Sequence, residues 1–111
     1  MLTTKILIAV ATIGFGIWAT LAPARLLMLV GLAAHNGRGI AEARVAFGAI
    51  YIGAGSACVW LQEPAAFATL GLAYLAMAVV RLAAIIKDHA SDRSNWASLV
   101  LEAVMGLLLL Q

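Results

Sequence analysis

Four ionisable residues stand inside otherwise apolar stretches of this chain: Glu42 and Arg44 within residues 40–61, Arg81 within 65–86, and Glu102 within 96–110. A charge held in hydrocarbon is costly unless it is paired or reaches water, so such residues face a bundle interior and mark where polar work is done. Three chemistries fit these residue types. Arg44 and Arg81, with Tyr51 and Tyr74 on the same helix faces, could line a cleft for a small amphiphilic or anionic molecule. Glu42 or Glu102 could act in acid–base catalysis if burial kept it protonated, although nearby arginines oppose this by holding a carboxylate ionised. Or two positive and two negative groups could simply pair and fix how helices pack.

Other chemistries lack their residues. His35 and His89 lie in polar turns with no companion at ligand spacing, so neither a metal nor a haem site is expected. No Ser, His and Asp form a recognisable nucleophile motif, and there is no glycine-rich phosphate loop. Cys58 is the single cysteine, which excludes an internal disulfide and a Cys-x-x-Cys redox pair. No catalytic residue, metal or cofactor is therefore assigned.

Composition sets the elements that must carry the charged residues. Hydrophobic residues make up 65% of the chain, charged residues 11%, and the mean hydropathy is +1.05. Soluble domains are roughly 45–50% apolar, so this is an integral membrane protein. The net charge of +2 and pI of about 9.1 reflect cations flanking membrane spans, not an affinity for nucleic acid. In 111 residues there is room for about four spans of ~20 residues, so a single transmembrane domain covering 1–111 is expected.

The fold expected is all-α, an integral membrane four-helix bundle with spans at about 6–22, 40–61, 65–86 and 96–110. The first apolar run has seventeen residues and ends at Pro23, longer than the 7–15 of a signal peptide core. Thr12, Gly16 and Thr20 recur along it at every fourth position, a row that lets two membrane helices approach closely. Residues 26–32 are apolar but too short to cross, which predicts an interfacial segment between helices one and two. Gln62-Glu63-Pro64 is a hairpin turn with Pro64 at the first position of helix three. The fourth span is short, and Ser94 and Asn95 are its expected caps.

At 100° per residue Glu42 and Arg44 point roughly 200° apart, so they must look towards different neighbours. Glu42 shares its side with Ala46, Ala49, Gly53 and Ala57, the side expected to pack tightly on another helix. Arg44 shares the other with Gly48, Tyr51, Gly55 and Cys58, which reads as a pocket wall. The expected pairings bring Arg44 and Arg81 onto Glu102, with Glu42 held by Arg38 or a neighbouring helix.

Orientation follows from the cations. Arg25, Arg38, Lys87 and Arg93 lie in the loops after helices one and three, against Lys5 alone on the opposite side. The positive-inside rule then places both long loops in the cytoplasm, so both termini face outward. Trp18, Trp60 and Trp96 lie near span ends, as an aromatic belt requires.

Glu42-Ala43-Arg44 followed by Gly48, Arg81 with Asp88 after it, and Glu102 in the last helix resemble a bacterial family of small four-helix membrane proteins catalogued as a domain of unknown function and distantly similar to DoxX-like proteins. The resemblance covers nearly the whole chain and implies the same four-helix fold, but no activity. The chain departs from the family pattern at Phe47, Ala49, Val80 and His89.

The function expected is thus that of a small inner-membrane protein of structural or accessory type. A membrane-embedded binding or transport protein is the first alternative and an acid–base membrane enzyme the second. Its partners would be the lipid bilayer and either further copies of the chain or a larger membrane complex.

Overall fold

The computed structural model describes residues 1–111 and consists of helices joined by short turns, with no strand. We number them α1 (Leu2–Leu21), α2 (Pro23–Leu29), α3 (Gly37–Leu61), α4 (Pro64–Lys87) and α5 (Arg93–Leu109). Three of these, α1, α3 and α4, are long and apolar enough to cross a membrane. At 17 residues α5 is about 26 Å long, somewhat less than the ~30 Å hydrocarbon core.

Capping residues explain where the boundaries differ from expectation. The side chain of Asn36 accepts a hydrogen bond from the Gly39 amide at 3.1 Å, so α3 starts at Gly37 and takes in the expected turn. Asp92 does the same for the Asn95 amide at 2.8 Å, so α5 starts at Arg93. Ser94 and Asn95 therefore lie inside the helix and do not cap it. Pro64 occupies the first turn of α4, where its missing N–H costs nothing. Residues 26–32 do not form a plain loop. Their first part belongs to the seven-residue α2, which buries Leu26 and Leu27 and leaves Met28 and Leu29 exposed.

The chain forms two compact units, one of residues 6–61 and one of residues 1–5 with 62–111. In the first, α1 and α3 meet at glycines. A Cβ on Gly16 would stand 2.6 Å from the Gly48 carbonyl oxygen, and one on Gly48 would stand 3.1 Å from that of Gly16. Farther along, a Cβ on Gly55 would come within 2.7 Å of the Ala9 carbonyl oxygen. Thr12 is buried and, like Thr20, turns its hydroxyl onto its own helix, donating to the carbonyl four residues back at 2.8 Å. The row of Thr12, Gly16 and Thr20 is thus a contact face, as its spacing predicts.

The face of α3 that meets it is not the one expected. Ala46, Ala49 and Gly53 are exposed, Ala57 is half-buried, and a Cβ on Gly53 would touch nothing within 4 Å. The close approach is made by Gly48 and Gly55, on the side read above as a pocket wall. Alanines are small, but a glycine with no Cβ lets the backbones come closer still, and the side of α3 with Gly48 against Gly16 and Gly55 against Ala9 prevails. A local π turn at Arg44–Ala49, closed by the Ile50 amide on the Val45 carbonyl five residues back, also breaks the even 100° count used to assign faces.

In the second unit α4 and α5 cross in the same manner. A Cβ on Gly71 would lie 2.9 Å from the Gly106 carbonyl oxygen, and one on Gly106 would lie 2.9 Å from that of Gly71. Phe67, Leu70, Tyr74, Ala78 and Leu109 are buried around this crossing. Elsewhere the helices turn large apolar side chains outward, among them Leu7, Val79, Val80 and Ile86. So much exposed apolar surface suits a lipid environment and not water.

Candidate functional site

The ionisable groups sit at three separate places. On α4, Arg81 reaches across to Glu102 of α5 with both arms of its fork, Nε to Oε1 at 2.8 Å and Nη2 to Oε2 at 2.7 Å. This side-on bidentate geometry is the strongest arrangement open to a guanidinium and a carboxylate. The remaining arm, Nη1, donates to Asn95 Oδ1 at 3.0 Å, and Asn95 Nδ2 donates in turn to the Ala90 carbonyl at 2.9 Å. Glu102 is nearly buried, its side chain 10% exposed, while that of Arg81 is 33% exposed. A chain of four groups thus ties the deep carboxylate to the backbone just before α5.

Asn95 was expected only as a cap. Its spacing of seven from Glu102 puts the two on one helix face, which is the sequence signal for its part in the network.

Glu42 pairs with Arg38 one turn earlier on α3, Nε to Oε1 at 3.0 Å, as the sequence allowed. Both side chains are well exposed, 81% and 62%, so this is a surface pair with little hold on the fold. Arg44 donates through Nη1 to the backbone carbonyl of Thr20 near the end of α1. Pro23 accounts for that vacancy: α1 stops at Leu21, so the amide four residues after Thr20 belongs to α2 and the carbonyl is left open. Arg44 closes it from the neighbouring helix. This role was not read from the sequence, although a proline a few residues past a carbonyl is its signal.

The tyrosines are placed in different ways. Tyr51 packs against Phe15 with ring centroids 4.9 Å apart and planes inclined by 50°, and Phe15 meets Trp18 edge-on at 6.2 Å. Tyr74 is buried beside the α4–α5 crossing. Lys5 marks the far end of its unit, donating to the Gln111 carbonyl at 3.2 Å with its ammonium 5.7 Å from the centre of the Phe67 ring. Arg81 lies fourteen residues beyond Phe67, so the Arg81–Glu102 pair is about 21 Å along α4 from that end. No buried side-chain nitrogen or oxygen lacks a hydrogen-bond partner.

Comparison with protein-family models, with curated proteins and with solved structures finds no match for this chain.

Proposed function

We propose that the protein is a small multi-span inner-membrane protein of structural or accessory type, in which the Arg81–Glu102 pair serves to lock two helices. The observation that carries this reading is the closed network on Arg81: both fork arms meet one carboxylate and the third meets Asn95. Such a set offers a ligand little that is not already used, and it fixes the register of α4 against α5.

In this reading α5 crosses as a fourth span, completed by bilayer thinning at its short end, and α2 lies in the interface. Lys5 and Gln111 then share one side, as their hydrogen bond favours, and the cation distribution makes that side periplasmic.

Replacing the pair by apolar residues tests the role. Arg81→Met with Glu102→Leu should give a folded protein about as stable as the parent, because a buried ion pair exchanged for hydrophobic residues of similar volume is often neutral or better. If that folded variant instead sheds a small molecule that co-purifies with the parent in mild detergent, the pair is a binding site. Reporter fusions after Gln111 test the orientation, with a cytoplasmic signal overturning it.

A further inference from the structure

A second polar place lies within the unit of residues 6–61. Between α2 with the loop that follows it and the first turns of α3 there is an open groove of about 450 Å³, within the range of small-molecule sites. Leu27, Ala43 and Phe47 form its apolar part, and His35, Arg38 and Glu42 stand on its polar rim. Leu27 and Ala43 are buried, so the floor is firm, whereas the rim groups are exposed. The π turn supplies Phe47, and π turns occur often at functional sites.

We propose that this groove binds the headgroup of an ethanolamine phospholipid, its phosphate on Arg38 beside His35 and its ammonium on Glu42. The proposal rests on the membrane reading above, in which α2 lies at headgroup depth.

Charge decides between occupants. The rim carries one cation and one anion one turn apart, joined by a single 3.0 Å contact. An exposed pair of this kind is weakly held, so it opens at little cost to receive a group that offers each partner its opposite. A phosphoethanolamine does so, with a phosphate monoanion and a primary ammonium on a two-carbon spacer. A phosphoglycerol headgroup would satisfy Arg38 but bring its anion close to Glu42 with nothing to offset the repulsion. A phosphocholine carries the right charges, but its quaternary nitrogen has no N–H to donate to a carboxylate. The acyl chains would follow the apolar part of the groove towards the hydrocarbon.

The test uses the full chain in mild detergent with an equimolar mixture of dioleoyl phosphatidylethanolamine, phosphatidylcholine and phosphatidylglycerol, and counts retained lipid by native mass spectrometry. One ethanolamine lipid should be retained about three- to fivefold over either competitor, the size expected of one partly exposed charge contact. Glu42→Gln should abolish that preference and raise the share of phosphatidylglycerol, and Arg38→Gln should weaken all three. Equal retention by the parent, a preference for phosphatidylglycerol, or a ratio unchanged in Glu42→Gln would each overturn the assignment. Should Glu42→Gln not fold, N-methyl and N,N-dimethyl ethanolamine lipids on the parent decide instead: retention should fall as N–H groups are lost, and a flat series refutes the site. None of these failures touches the span reading, which would fall if the chain stayed monomeric in buffer without detergent.

Discussion

Each compact unit brings two helices together at a reciprocal pair of glycines, yet the units handle charge in opposite ways. The α4–α5 unit sinks a carboxylate to 10% exposure and spends a whole guanidinium and an asparagine on it. The α1–α3 unit leaves its carboxylate at the surface and uses an exposed arginine, Arg44, to close a backbone carbonyl. Where lipid cannot supply hydrogen bonds, a guanidinium can be satisfied by an acid or by a broken helix end, and the two solutions have different consequences on mutation. An acid that loses its arginine becomes an unpaired buried charge. A carbonyl that loses its arginine is only an unpaired dipole.

The largest effect should come from splitting the ion pair. Glu102→Gln should lower stability by about 3 kcal/mol, since it strands Arg81; an unfolding titration in detergent that shifts by less than a third of this would show that water already screens Arg81. Next come the glycine crossings. Gly48→Ala drives a Cβ against Thr20 Oγ1 and to 3.1 Å from the Gly16 carbonyl, and should cost about 1–3 kcal/mol. Gly71→Ala meets the Gly106 carbonyl and Leu109 Cβ at 2.9 Å and should cost about as much, so thermal melts of the two variants compare the crossings. Arg44→Met should then cost about 1 kcal/mol, one hydrogen bond. If it instead matches Glu102→Gln, the contrast between acid and carbonyl partners is wrong. Smallest of all, Gly53→Leu should change stability by less than ~0.5 kcal/mol, because its surroundings are open.

Much of this was legible in the sequence, and the remainder failed for definable reasons. Span positions follow from apolar run length, and three of them coincide, to within a few residues, with helices long and apolar enough to cross a membrane. Thr12, Gly16 and Thr20 announced a contact face because small side chains at every fourth position have one plain use. Arg38 and Glu42 are one turn apart, so their pairing could be read locally. The face of α3 could not. Both of its sides carry small residues, and the choice between them depends on which glycines stand opposite on α1, a relation between distant segments. Arg44 was assigned to a side-chain partner because a sequence displays carboxylates but not open carbonyls. Asn95 does not cap because Asp92, three residues earlier, accepts the Asn95 amide and starts the helix before it.

The π turn in α3 bears on how the chain can change length. An α-helix with one surplus residue between two fixed contact regions has two ways to absorb it: rotate everything downstream, or bulge locally. Here Ala43 and Gly48 are both buried though five residues apart, while Val45 and Ala46 between them face outward, so the surplus is held in the bulge. Removing Val45 should therefore restore a regular helix with Gly48 and Gly55 still against α1. The same deletion at exposed Leu72 in α4 has no bulge to consume and would turn Tyr74, Ala78 and Arg81 away from α5 by about 100°. One helix of this protein thus carries a spare letter, and the other has none to lose.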